Sequence, residues 1–126
     1  MKAIELFAAS LNLLGIYADG EKLPDDTEDL KYRSVALINI LLAENALLDS
    51  RLRKSDLKIT QITNLDEDLI CSDVMANSVL PYGLARLLVL GEDDSLSNEL
   101  YRLYIESREN ARRFIKANVH PIEEVY

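Results

Sequence analysis

The residue types able to do covalent chemistry are few and scattered. The chain has one cysteine, Cys71, and one histidine, His120. A Cys–His dyad needs the imidazole within hydrogen-bond reach of the thiol, and nothing in this spacing brings the two together. No Lys, Arg or His lies close to Cys71 in sequence to lower its pKa, so it reads as a small buried hydrophobe. His120, directly before Pro121, is a poor general base. Asp66 and Asp68 resemble an acid–base pair, but no nucleophile or basic partner accompanies them, and a solvated loop explains them. Glu106 and Glu109 have the i, i+3 spacing with which some all-helical hydrolases hold Mg²⁺. Such enzymes need further acids on a facing helix, so here the pair reads as a solvated helix face. Six carboxylates crowd between Asp19 and Asp29 without the Asp-x-Asp-x-Asp-Gly order that wraps oxygens around calcium. No Gly-rich phosphate loop, Cys/His metal spacing or Ser/His/Asp set can be assembled. The expectation is a non-enzyme with no catalytic, cofactor-binding or metal residues.

The totals narrow the class further. At 126 residues with 48% hydrophobic content, the chain is one domain able to bury an ordinary core. Fourteen basic against 22 acidic residues give a net charge of −8. Such a surface repels nucleic acid and anionic membrane, although it suits a protein that lies near DNA without sticking to it. A single cysteine suggests a reducing compartment. MKAIELFAASLNLLGI carries Glu5 and Asn12 within an amphipathic period, which predicts a structural helix and no signal peptide. No run approaches 18 uncharged apolar residues, so no membrane span is expected.

Four helices must position whatever surface this chain uses. The first is expected over about Lys2–Gly15, with Gly15 as its stop. The second, Thr27–Arg53, carries a stripe of Leu30, Leu37, Ile38, Leu41, Leu48 and Leu52 and looks like the centre of the domain. Ile40 and Leu47 fall outside that stripe, seven residues apart. Ser34 and Asn45 interrupt it, and each needs a partner if buried. Asp56–Thr63 changes to a β-branched pattern, with Leu57, Ile59 and Ile62 in a short extended or β segment near 57–63 that must find a partner. A third helix over Val74–Leu90 should kink or restart at Pro81 and end at Gly91. A fourth, Ser95–Ala117 with Ser95 as N-cap, carries a main stripe that includes Tyr104 and Phe114. Tyr101, Ile105, Arg108 and Arg112 form a second ridge beside it. Pro121 is expected to forbid continuation, leaving an extended C-terminal tail over 118–126. The fold class is therefore mainly all-α: a single helical domain over 1–117 plus the tail.

Two stretches resemble one family. FAASLNLLGI, an acidic loop and YRSVALINILLAE look like the start of small helical proteins of tailed bacteriophages and prophages. ITNLDEDLICSDVMANSVLPYGLARLLVLGEDDSLSNELYRLYIESR is similar to a pattern in the same proteins. There an I-T-x-L-D-x-x-L segment leads to a helix with L-P-Y-G-L-A, an acidic turn and a helix carrying spaced tyrosines. These are head–tail connector (neck adaptor) proteins. The resemblance spans about residues 3–108, and Leu80-Pro81-Tyr82-Gly83-Leu84-Ala85 following Asp66-Glu67-Asp68-Leu69 is its most specific part. It implies a structural subunit of a homo-oligomeric ring, assembled in the bacterial cytoplasm into the virion neck. Such a ring bridges the portal and the tail or stopper protein, and lines a channel through which DNA passes without specific binding. Residues 109–126 lie outside the resemblance.

Under that reading the surplus apolar residues serve subunit contacts: Ile40, Leu47, Tyr101 and Ile105 on helices, Ile59 and Ile62 in the extended segment, and Val119, Ile122 and Val125 in the tail. A second class fits the same residues, a small cytosolic helical interaction or regulatory protein acting as a dimer. A Mg²⁺-dependent all-α enzyme built on Glu106 and Glu109 is a third.

Overall fold

The computed structural model describes residues 1–17 and 27–123. Five α-helices form: α1 (Ala3–Tyr17), α2 (Thr27–Glu44), α3 (Ala46–Arg53), α4 (Leu80–Val89) and α5 (Asp94–Glu123). A π-helical turn, Met75–Val79, leads directly into α4. No strand forms among the described residues, and the only β-type pairing is an isolated antiparallel bridge between Lys2 and Asp68. The fold is all-α. No helix among the described residues is long and apolar enough to cross a membrane.

The short helix α4 is the hub. It packs against α1, α2 and α5, and Leu80, Leu84 and Ala85 are fully buried. The Thr27–Arg53 stretch is therefore peripheral to a centre it helps to cover, because α4 is apolar enough to be enclosed by three neighbours. Gly83 makes the close approach possible. A Cβ placed there would lie 2.8 Å from Leu41 Cδ2 and 2.9 Å from Tyr104 Cε1, so only hydrogen fits between α2 and α5 at this point. The turn before α4 accommodates Pro81. The Leu80 N–H bonds back to the Met75 carbonyl, one residue further than in an α-helix, and the widened turn lets the proline enter the first turn of α4. The Ser10 hydroxyl of α1 donates to the Leu6 carbonyl at 3.0 Å, with the Pro81 carbonyl also in reach at 3.2 Å.

The Thr27–Arg53 stretch divides at Asn45, which separates α2 from α3. Asn45 has φ −100° and ψ 7° and is 1% exposed. Its side-chain N–H donates to the Leu41 carbonyl at 2.9 Å, so the amide competes with the backbone ladder at that point. The other interrupting residue, Ser34, is satisfied by the Leu30 carbonyl at 2.7 Å. Lys54 ends α3 in the left-handed region with φ 55°.

Other boundaries also shift from expectation. Helix α1 passes through Gly15 to Tyr17, since glycine permits a left-handed stop but does not impose one, and Gly15 keeps a negative φ. Gly91, at φ 89°, does close the α4 end. The cap of α5 is Asp93, whose carboxylate accepts the Leu96 N–H at 3.0 Å, in place of Ser95. Ser72 caps the π-turn through the Met75 N–H at 3.1 Å. The backbone of α5 stays helical through Pro121 to Glu123, where an extended tail from 118 was expected. The proline sits in the last turn, where only one internal hydrogen bond is lost to it.

The segment near 57–63 is extended but joins no sheet. Its later end is fixed by other means. The Asn39 amide bonds both sides of the Ile62 backbone, donating to its carbonyl at 2.9 Å and accepting its N–H at 2.8 Å. Beyond it, the N-terminal residues pair with the following connection. Ala3 N donates to the Glu67 carbonyl at 2.9 Å, Ile4 N to Leu65 at 2.8 Å, and Leu69 N to Met1 at 2.8 Å.

Candidate subunit-contact surface

The exposed apolar residues Ile40, Leu47, Tyr101 and Ile105 stand around one buried polar junction between α2, α3 and α5. Tyr104 is 2% exposed, and its hydroxyl donates to a carboxylate oxygen of Glu44. The Asn45 side chain donates to the same phenol oxygen at 2.8 Å. Burial, and then the Glu44 bond, push the Tyr104 phenol far above the ordinary tyrosine range, so it remains a donor at any physiological pH. The Asn45 side-chain oxygen, Oδ1, is buried without a hydrogen-bond partner among the described residues.

Exposed apolar residues flank this junction. Ile40, Glu44 and Leu47 recur one turn apart, and Tyr101 and Ile105 lie on either side of Tyr104 in the α5 register. Ile40 is 55% exposed, Leu47 54%, Tyr101 44% and Ile105 41%. All four expected contact residues on helices are therefore uncovered in the single chain. Arginines sit on the aromatic faces. Arg86 of α4 lies 4.7 Å from the Tyr101 ring centroid and Arg108 lies 5.8 Å from that of Tyr104, while the two rings are 6.4 Å apart. Neither arginine has a carboxylate partner among the described residues. Tyrosine and arginine with exposed aliphatic neighbours is the composition enriched at protein–protein contacts.

The remaining expected contact residues divide. Ile59 is exposed, and so is Leu57 beside it. Ile62 is 4% exposed and belongs to the core, so it is unavailable to a neighbour. The Asn39 clamp turns it inward, a contact between residues 23 apart that period-two patterning cannot foresee. Val119 and Ile122 fall on helical backbone of α5 instead of an extended tail. Their side chains, and Val125 altogether, lie outside the described residues.

Four exposed apolar or aromatic residues were not anticipated, and Tyr32, at 83%, is the most exposed of them. Ile70 and Leu90 anchor no core, and Phe114 leaves the main α5 stripe for solvent. Phe114 borders an open groove of about 510 Å³ between the π-turn, α4 and α5, with Tyr82, Leu103 and Ala111 among its walls. The carboxylates with the spacing of a metal site are engaged along their own helix. Arg102 contacts Glu106 at 3.1 Å, and Arg112 contacts Glu109 at 3.3 Å. No group of three or more potential metal-ligating His, Cys, Asp or Glu side chains occurs among the described residues. Cys71 is half-buried, and its thiol is pushed up to about 11 by burial and then by the nearby Asp49 carboxylate. Comparison with protein-family models, curated proteins and solved structures finds no match for this chain.

Proposed function

We propose that this chain is a structural, non-catalytic subunit of a head–tail connector ring in a tailed phage or prophage particle, bridging portal and tail beside the DNA path. The observation that carries the reading is the uncovered pair of ridges, Ile40 with Leu47 on α2 and α3 and Tyr101 with Ile105 on α5, beside the Glu44–Tyr104 contact that ties α2 to α5. A rigid platform with four exposed large apolar side chains suits repeated protein contact better than solvent. The net charge of −8 agrees with a neighbour of DNA that must not retain it. The resemblance of residues 3–108 to connector proteins supplies the biological setting.

Assembly is the test. The chain, alone and with a phage portal protein, is followed by mass photometry and negative-stain microscopy. Closed rings of many copies are expected in the presence of the portal. Leu47→Asp combined with Tyr101→Asp should abolish them while leaving far-UV helicity unchanged. A stable dimer under both conditions, or unchanged assembly of the double variant, overturns the reading.

A further inference from the structure

Residues 56–62 run without turn or bend, so they have the course of a single strand. Their side chains alternate accordingly. Ile62 is buried and Thr60 half-buried, with the Thr60 hydroxyl donating to the Ile70 carbonyl at 3.4 Å, whereas Leu57, Ile59 and Gln61 face solvent. In a strand the N–H and C=O of one residue leave by the same edge, and those of the next residue by the other. Both groups of Ile62 go to the Asn39 amide of α2, so Lys58 and Thr60 share that edge. Leu57, Ile59 and Gln61 direct their backbone groups to the opposite edge.

That edge is open. No backbone group from Leu57 to Gln61 takes part in a hydrogen bond among the described residues. The connection that follows is different. Its Thr63 and Asn64 N–H groups go to Glu67, and Leu65, Glu67 and Leu69 bond to the N-terminal residues. Beside the open edge stand the Leu57 and Ile59 side chains, each 59% exposed. Proteins blunt such edges with proline, a bulge or inward-pointing charge. Residues 57–61 contain no proline or glycine, and Lys58 is their one charge.

We infer that residues 57–61 are a docking edge for an extended strand of a different protein, held by main-chain hydrogen bonds. The incoming strand pairs with the N–H and C=O groups of Leu57, Ile59 and Gln61. Its apolar side chains, at alternate positions, lie against Leu57 and Ile59. That the strand comes from a different protein rests on the connector reading. Among the described residues no other run of five outside the helices has its backbone wholly free, so a second copy could offer only the same stretch. Two copies joined through one shared stretch close as a two-fold pair and stop there, which cannot build a ring of many copies.

A strand probe tests this on the full-length chain. The probe is an acetylated heptapeptide of alternating valine and threonine, added at millimolar concentration, with amide exchange followed by NMR. Exchange at Ile59 and Gln61 should slow at least about threefold, with Lys58 and Thr60 changed less. The same peptide N-methylated throughout keeps its side chains but has no donors, and it should protect nothing. Ile59→Pro deletes one N–H from the edge in a conformation that proline accepts. It should abolish protection at Gln61 while far-UV helicity and Tm stay unchanged. Ile59→Thr keeps that N–H and should retain most of the protection. No protection by the peptide, equal protection by its N-methylated form, or persistent protection of the Ile59→Pro chain overturns the inference. Slowing at Ile59 and Gln61 with rising protein concentration and no peptide would make this a self-pairing edge, and would overturn the connector reading as well. Rings formed with a phage portal protein alongside a failed peptide test would remove the docking edge alone.

Discussion

The side-chain amide of Asn39 occupies the place that a neighbouring strand would take beside Ile62, giving to its carbonyl at 2.9 Å and taking from its N–H at 2.8 Å. One residue of α2 thus satisfies the one buried residue of a segment that otherwise has no ladder. Asn39→Ala should leave both Ile62 groups without a partner and cost about 1–3 kcal/mol. Chemical denaturation measures the loss, and faster amide exchange at Ile62 localises it. Unchanged exchange there would show that the clamp is dispensable.

At Gly83 α4 lies so close to α2 and α5 that a Cβ would meet Leu41 and Tyr104 below 3 Å. Tyr104, one of the two atoms' owners, cannot swing aside without giving up its bonds to Glu44 and Asn45. Gly83→Ala should therefore destabilise the chain by about 1–3 kcal/mol, although alanine is the better helix former. Truncating Leu41 to Ala relieves only one of the two clashes, so the double variant should not recover wild-type Tm.

The Glu67 carboxylate accepts the Thr63 N–H and hydroxyl, each at 2.6 Å, and the Asn64 N–H at 2.8 Å. These bonds hold its pKa below the ordinary 4.5, with the Thr63 side chain the largest cause. A depressed carboxylate pKa contributes stability that is present above the unfolded value and is lost as pH falls through the folded one. Acidification from pH 5 should loosen residues 63–67 before the helices respond, read as broadening of the Thr63 and Asn64 amide resonances. Glu67→Gln should remove that pH step. If the step persists in the variant, another group is responsible.

Cys71 should be a slow thiol. With its pKa near 11, on the order of one molecule in ten thousand carries thiolate at pH 7. Labelling by a thiol reagent at pH 7 should run at least about tenfold slower than in denaturant, even though lower thiolate content is partly offset by higher nucleophilicity. Equal rates would contradict the raised pKa and the burial behind it.

What the sequence discloses here follows the distance over which each cause acts. The α2 stripe, the disturbance at Pro81 and the stop at Gly91 arise within a turn or two, and all are visible as periodicity or punctuation. Exposure of Ile40, Leu47, Tyr101 and Ile105 was also readable, because each sits off the apolar stripe of its own helix. The break at Asn45 was not, since the amide that competes for the Leu41 carbonyl is also held by Tyr104, 59 residues away. Ile62 looked like part of an edge and is core, because its partner is a side chain on another helix. Phe114 looked like core and is exposed: its register is right, but no element among the described residues covers its side chain.

The central position of α4 has a consequence for how the protein is made. On a ribosome α1, α2 and α3 emerge first, yet α1 and α2 bury their apolar faces against a helix spanning Leu80–Val89. The clasp between the N-terminal residues and Leu65–Leu69 also waits for the chain to pass its midpoint. The early helices thus leave the exit tunnel with no core to join, and native collapse is deferred until α4 arrives. Nascent chains stalled before and after residue 89 should differ sharply in protease resistance, with order appearing late and nearly all at once.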